Sequence, residues 1–121
     1  MLNREFTDDT MLFYDGAREV LAIQEAEADG NIILTVKGAL GSEAVHDFQD
    51  ELIALATVGA NIIVDLSGLT YLASSAQHAL LQVQQKMDAM GKGTLTLVKT
   101  PENIYREFER TGVSELLMFD E

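Results

Sequence analysis

The chain has 121 residues, 47% of them hydrophobic, with one proline and no cysteine, a composition typical of one small globular domain. The formal net charge is −12, and residues 1–60 carry 12 acids and only 3 bases. Such a surface repels phosphate backbones, so we expect no direct nucleic-acid binding; it favours a basic protein partner or simply keeps the domain soluble. The lack of cysteine fits an intracellular setting, and no apolar run reaches the length of a membrane span. We therefore expect a cytoplasmic protein without a membrane segment.

Residues 1–19 precede the regular part of the pattern. Their apolar run at 11–14 (MLFY) is unsuited to a free tail, so we expect this extension to pack on the domain or on a second copy in a homodimer. The pattern indicates neither helix nor strand here. We assign the domain itself to residues 20–121.

The domain begins with a predicted antiparallel hairpin. From Val20, apolar and polar residues alternate up to a turn at 29–31 (DGN), and a second apolar run at 32–36 ends at Gly38. A helix over 42–57 follows, with Ser42 as its expected N-cap and one apolar stripe at helical spacing.

The centre of the chain predicts a buried strand followed by a helix. Ile62–Val64 is a β-branched run typical of a central strand in a covered parallel sheet, and Asp65 ends it. A tight turn is expected from Leu66 to Ala73. The next helix is predicted over 75–90, so that two serines stand at its N-terminus, where backbone N–H groups favour a capping hydroxyl or a negative charge.

The helix over 75–90 has two distinct faces. Its predicted core face is formed by Ala76, Ala79, Leu80, Val83, Met87 and Met90. The opposite face carries Gln77, His78, Gln84, Gln85 and Asp88, with Leu81 among them. Leu81 is unusual because it is apolar on a face that is otherwise polar and nearly free of charge.

The last third of the chain predicts a strand, a helix and a strand. The run 94–98 (TLTLV) is the strand, and the helix over 101–111 begins with Thr100 as N-cap and Pro101 at its first position. Gly112 is placed to end this helix, and 113–119 (VSELLMF) predicts a final strand. The expected fold is therefore α/β, with a mixed four- to five-stranded sheet in the order β-β-α-β-α-β-α-β.

Three sequence segments carry a resemblance to a known family. They are 65–69 (DLSGL), the serine pair at 74–75, and 110–113 (RTGV). Together with the element order they resemble STAS domains, the family named for sulfate transporters and anti-sigma factor antagonists, over about residues 20–121. The resemblance implies the STAS fold and, for a stand-alone bacterial member, the role of an anti-sigma factor antagonist.

The resemblance also implies a set of functional residues. It implies that Ser75 is the phosphoacceptor, with Ser74 the less favoured candidate, and that Asp65 and Gly68 hold a structural turn. The partner-binding residues it implies are Ser74, Ser75, Gln77, His78 and Leu81. The implied partner is an anti-sigma factor that is also a serine kinase, and phosphate on the serine would break the complex.

The chain departs from the family pattern at three positions beside the serines. Ala73 and Gly41 stand where the family usually has Asp, and Ala76 stands where it usually has Gly. These departures leave a second interpretation open, a STAS-like scaffold that binds partners without a phosphorylation cycle. A third is a module that senses a nucleotide or another small ligand, against which the acidic surface argues.

The motifs of common enzymes are missing from the sequence. It has no phosphate-binding glycine loop and no cysteine nucleophile, so we expect no catalytic residues and no cofactor. His46 lies near Asp47, Asp50 and Glu51, but one histidine among helical carboxylates is more typical of a solvated helix face than of a metal site. No metal is therefore expected.

Overall fold

The computed structural model describes residues 2–120, which form seven strands and three helices on one mixed sheet. The strands are β1 (Asn3–Phe6), β2 (Thr10–Asp15), β3 (Arg18–Ala28), β4 (Asn31–Leu40), β5 (Asn61–Leu72), β6 (Thr94–Val98) and β7 (Met118–Asp120). The helices are α1 (Val45–Thr57), α2 (Ser74–Met90) and α3 (Glu102–Arg110), and a 3-10 turn covers Val113–Glu115. None of these helices combines the length and apolar character that crossing a bilayer requires.

The strands lie in the sheet in the same order as in the chain. β1 to β4 pair antiparallel, and β4 to β7 pair parallel through the crossover helices α1, α2 and α3. β5 lies between β4 and β6, so the prediction of an interior position for Ile62–Val64 is confirmed. The α/β class is confirmed as well, but the predicted count of four to five strands was too low.

One face of the sheet carries the whole hydrophobic core. Leu34, Val64 and Leu97 point to the same side and pack with Phe48 of α1 and Phe108 of α3 in a single buried cluster. The ring of Phe108 also meets Phe119 of β7 at 5.2 Å between centroids. The three helices therefore cover this face.

The opposite face of the sheet is not covered by any helix of residues 2–120. Ile33 and Ile63 pair across β4 and β5 and are only half-buried. The covered sheet that the sequence predicted around Ile62–Val64 is therefore covered by helices on one face. The alternation of buried Ile62 and Val64 with half-buried Ile63 is the pattern of a one-sided sheet.

β5 is much longer than the sequence predicted. It continues through Leu72, over the segment expected to be a tight turn, because β4 pairs with it as far as Leu40 opposite Leu72. Two irregularities in this register shift the pairing between Thr35 and Lys37 and between Gly38 and Ala39. These shifts give the segment after Asp65 its local bend without ending the strand.

The chain termini also differ from the predictions. The extension at 1–19, for which no secondary structure was predicted, forms β1 and β2, and Phe13 of β2 is fully buried in the core. The segment predicted as one strand at 113–119 is instead a 3-10 turn followed by the short strand β7. The division of the chain at residue 20 into extension and domain stays a prediction.

The three helices begin one to three residues away from the predicted positions, and none has a side-chain cap. The N-cap positions are Ala44, Ala73 and Pro101, in place of the expected Ser42, a serine of the pair at 74–75, and Thr100. The predicted glycine end of α3 is confirmed, since Gly112 has a left-handed φ of 79° directly after the last helical turn.

Candidate functional site

The serine pair lies at the first two positions of α2, at the edge where β4 and β5 end. Ala73 precedes them in an extended conformation (φ −65°, ψ 149°), and its N–H donates to Leu40 O at 2.9 Å. This bond joins the ends of two parallel strands and fixes the point from which α2 starts. Ser74 and Ser75 are both exposed to solvent.

The start of α2 is suited to a negative charge. The N–H groups of Ser74 and Ser75 donate to no acceptor among residues 2–120, as expected for the first turn of a helix. The first turn contains no acidic side chain, and the helix has no charged residue before Lys86. A phosphate on either hydroxyl would therefore meet free backbone donors and the positive end of the helix dipole.

The residues implied as partner contacts divide between two sides of α2. His78 is exposed, like Ser75. Gln77 is only 3% exposed, and its Oε1 accepts a hydrogen bond of 2.8 Å from Thr111 Oγ1 beyond the end of α3. Leu81 is half-buried. The prediction that Gln77 lies on the open polar face was wrong, because its side chain turns toward the end of α3. The partner contact of Leu81 stays a prediction.

A row of hydrogen-bonded side chains, which the sequence did not predict, runs across the outer faces of α1 and α2. Gln49 Nε2 of α1 donates to Gln82 Oε1 at 2.7 Å, and Gln82 Nε2 lies 3.2 Å from His78 Nε2. The amide nitrogen of Gln82 can only donate, so His78 Nε2 is the acceptor in this contact. The i,i+4 spacing of His78 and Gln82 was visible in the sequence, but their link to α1 was not.

A groove lies on the other side of the serines. Its volume is about 390 Å³, with Leu72 and Ser74 on the side of β5 and α2, and Ile104 and Arg110 on the side of α3. Arg110 is held there by Glu107, whose Oε2 accepts from the guanidinium at 2.6 Å, and the ion pair raises the pKa of Arg110. Ser74 opens toward this groove, whereas Ser75 is not among the residues that line it.

Asp65 and Gly68 lie further back on β5, away from the helix start. Asp65 Oδ1 accepts a hydrogen bond of 2.9 Å from the N–H of Ser67, two residues on. A Cβ atom on Gly68 would lie 2.8 Å from Lys37 Cγ of the paired strand, so a larger residue would displace that side chain. Both residues shape the bend in β5. They lie in an extended strand and not in the tight turn that the sequence predicted.

The three departures from the family pattern have clear positions. Ala73 is the buried N-cap of α2, and Ala76 is fully buried under its first turn. Gly41 follows the end of β4, and an added Cβ there would meet no atom within 4 Å. The space around Gly41 is open, so the side chain of the aspartate that the family usually has here would fit. The carboxylate is absent only because residue 41 is a glycine.

His46 lies on a solvent-exposed face of α1, as the sequence predicted. His46 Nε2 lies 3.2 Å from Asp50 Oδ2, and both side chains are largely exposed. Within the described chain, no group of three or more His, Asp or Glu side chains is arranged to bind a metal.

The comparison with protein families places the chain in a known class. Residues 22–121 match the STAS domain family, so the chain belongs to the STAS domain family, and the assignment made from the sequence is confirmed. No match was found among curated proteins.

Solved structures with the same fold include several anti-sigma factor antagonists. The unphosphorylated form of SpoIIAA matches with 18% identity and a TM-score of 0.68, over 82% of this chain and 88% of that one. The phosphorylated form of SpoIIAA from Bacillus matches with 18% identity and a TM-score of 0.63, over 82% and 91%. An anti-sigma factor antagonist from Mycobacterium paratuberculosis matches with 15% identity and a TM-score of 0.69, over 82% and 84%. At these identities the likeness establishes the fold.

Proposed function

We propose that this chain is a regulatory interaction module that acts as an anti-sigma factor antagonist. It binds an anti-sigma factor of the serine-kinase class in the cytoplasm, and phosphate on Ser75 breaks the complex. The observation that carries the proposal is the exposed Ser75 hydroxyl at the second position of α2, beside free backbone N–H groups and on a helix face without charge. The family membership and the named structural relatives support the choice of partner.

The docking surface we assign is the outer face of α2. Ser75, His78 and Gln82 are exposed on it, and Gln49 extends it onto α1. Gln77 is left out because it is buried against Thr111. Neutral hydroxyl and amide groups can pair across an interface at small desolvation cost, which suits a surface that must also be released.

The effect of phosphate at this position follows from its charge. In the free protein, the open N–H groups of Ser74 and Ser75 stabilise a phosphate that carries roughly −1.5 to −2 charge. In a packed interface the same charge must lose its water, and α2 itself supplies no basic residue before Lys86 to compensate for that loss. Phosphorylation therefore favours the free protein over the complex.

The test uses a purified candidate kinase from the same organism and calorimetric titration. Ser75→Asp should weaken binding by about 1–3 kcal/mol, roughly 5- to 150-fold, because it places a charge in a desolvated polar contact. Ser75→Ala should bind almost as the wild type does, and it should take up no phosphate from ATP. Ala54→Asp, which adds the same charge to the exposed face of α1 near its other end, serves as the control and should leave binding unchanged.

One observation favours a second function, a scaffold that binds its partner without a phosphorylation cycle. Ala73 and Gly41 put no carboxylate beside the serines. Equal binding of Ser75→Asp and Ser75→Ala, with no phosphate on the wild type, would support this scaffold and reject the switch. Ser74→Asp separates the two serines, since only the true acceptor position should be sensitive to charge.

A further inference from the structure

Three acidic side chains from three different elements converge on a small cavity under the N-terminal strands. Asp9 comes from the connection between β1 and β2, Glu25 from β3 and Glu51 from α1. The cavity has a volume of about 70 Å³. Its lining is completed by Thr7, Asp8, Thr10, Met11, Ile23 and Leu34, so it includes four acids and no Lys, Arg or His.

The contacts in this cluster link the N-terminal strands to the body of the domain. The carboxyl groups of Glu25 and Glu51 both line this cavity, and a proton on one of them would let it donate a hydrogen bond to the other. The N–H of Glu25 donates to Asp9 O at 2.7 Å, and Asp9 Oδ1 accepts from Thr10 Oγ1 at 3.0 Å. A proton held between the two glutamates would therefore lie where β3, α1 and the β1–β2 connection meet.

The charges around Glu25 all act in the same direction. The hydrogen bond to Glu51, partial burial and the negative charges of Glu51 and Asp9 raise the pKa of Glu25 from 4.5 to about 7. Asp8 adds a further acid from the β1–β2 connection, and β4 contributes only the apolar Leu34. A proton is therefore held at mildly acidic pH and lost just above neutral pH.

We propose that Glu25, Glu51 and Asp9 form a proton-operated latch that holds β1 and the β1–β2 connection against β3 and α1 when a proton is bound, and loosens them when it is lost. Loss of the proton leaves like charges facing one another without a cation in the lining. α1 is fixed by Phe48 and Leu52 and β2 by Phe13, all of them fully buried, so the parts free to move are β1 and the β1–β2 connection. All four residues of β1 are exposed, and β1 pairs only with β2.

The latch reaches the candidate site through Arg4 of β1. Arg4 Nε donates to Asp47 Oδ2 at 2.6 Å, and its NH2 group donates to Glu43 O at 2.9 Å. Glu43 directly follows the Gly41–Ser42 segment, and Asp47 lies in the first turn of α1. Loosening of β1 would remove both bonds and free this edge of the site. The latch itself does not depend on the proposed partner, and its test needs only the free protein.

The first test is amide hydrogen exchange by NMR on the full chain, corrected for the intrinsic effect of pH on exchange. A shift of the Glu25 pKa from 4.5 to about 7 sets an upper limit of about tenfold on the loss of protection in β1 between pH 6 and pH 8. Protection in β5 and β6, which exchange only when the whole domain unfolds, should stay higher than in β1 at both pH values. Glu25→Gln should remove the pH dependence in β1, because its amide donates to Glu51 at every pH.

Two further measurements keep the result unambiguous. Glu19→Gln removes the same charge from the exposed start of β3 and should keep the pH dependence. Direct titration of the Glu25 carboxyl by ¹³C NMR should give a midpoint near 7 in the wild type and a lower one in Glu51→Gln. A Glu25 midpoint near 4.5, or protection in β1 that is as high as in β5 and β6 and does not change between pH 6 and pH 8, would overturn the proposal.

Discussion

Asp65 is a charged side chain on the uncovered face of the sheet whose ionised form is stabilised locally. Burial disfavours its charge, but hydrogen bonds from Ser67 and the charges of Lys99 and Lys37 outweigh this effect and lower the pKa below 3.8. Lys99 Nζ lies 3.9 Å from Asp65 Oδ2. The carboxylate therefore contributes stability through one backbone hydrogen bond at the bend of β5, assisted by two cations.

A pair of variants separates the hydrogen bond from the charge. Asp65→Ala removes the acceptor for the N–H of Ser67 and should cost about 1.5–3 kcal/mol of unfolding free energy at pH 7. Asp65→Asn keeps an acceptor oxygen and should cost less. Because the folded pKa is lowered, the charge contribution is present above the unfolded value and is lost as the pH falls through the folded one. Urea unfolding of the wild type and both variants at pH 7 and pH 3 measures these free energies. Equal costs for Asp65→Ala and Asp65→Asn at pH 7 would contradict the role of the hydrogen bond.

At the start of α2, strand pairing overrides the local preference of serine for the N-cap position. Serine is a preferred N-cap, so the sequence indicated a cap at 74 or 75. The strand pairing of Leu40 with Leu72 and the bond from Ala73 N–H to Leu40 O instead set the start of α2 one residue earlier. Gln77 was misplaced for a similar reason. Its partner Thr111 is 34 residues away, and helical spacing does not reveal it.

The predicted N-terminal extension contributes two strands, β1 and β2, to the sheet. β2 pairs with β3 over six residues, and its Phe13 enters the core beside Leu21. The adjacent Leu12 points to the uncovered face and is half-buried. β2 is therefore part of the folded core of this chain, whereas β1 is an edge strand held by pairing and by Arg4.

Two neighbouring substitutions test this placement. Phe13→Ala opens a cavity in the core and should cost about 3–5 kcal/mol of unfolding free energy. Leu12→Ala removes a half-buried side chain on the other face and should cost about 1 kcal/mol. Denaturant unfolding of both variants checks the difference. Similar costs for the two would mean that β2 does not dock as described.

A second prediction for a single element concerns Gly38 of β4, which lies at a register shift in the pairing of β4 with β5. Gly38 has a φ of +101°, and an added Cβ would lie 2.3 Å from Val20 O. Gly38→Ala should therefore destabilise the domain by more than the roughly 1–3 kcal/mol of backbone strain. Gly41→Ala, in open space only three residues later, is the matched control and should have little effect. Thermal unfolding compares them, and equal shifts would exclude the close approach at Gly38.

The sequence predicted elements with strong local signals and missed those that depend on partners. The turn at Asp29 and Gly30 was predicted from residue type, and both residues have the positive φ angles, 53° and 81°, that this two-residue hairpin requires. β1 and β7 were missed or displaced because they are short strands at the sheet edges, and β2 was missed because its place in the sheet depends on its pairing with β3. The length of β5 depends on its pairing with β4, and the alternation of residues within β5 does not reveal this pairing.

The whole molecule combines a sheet covered on one face with an uneven charge distribution. Residues 1–60 carry a net charge of −9 and residues 61–121 a net charge of −3. The acidic half includes the β1–β4 part of the sheet and α1, where the latch acids lie. Mutual repulsion therefore acts mainly on the antiparallel half, and it weakens when salt shortens the range of the interaction from about 30 Å at 0.01 M to less than 10 Å above 0.1 M.

This distribution predicts how salt and charge reversal change stability. Raising NaCl from 0.01 M to 0.3 M at pH 8 should increase the melting temperature by about 3–6 °C, the shift that roughly 1 kcal/mol produces in a domain of this size. Glu19→Lys, in the acidic half, should raise the melting temperature in low salt more than Glu115→Lys, in the other half, because it removes repulsion from more neighbouring acids. In 0.3 M NaCl the two variants should become similar. Calorimetry at both salt concentrations measures these shifts, and an equal gain from the two substitutions in low salt would show that the repulsion is spread evenly over the molecule.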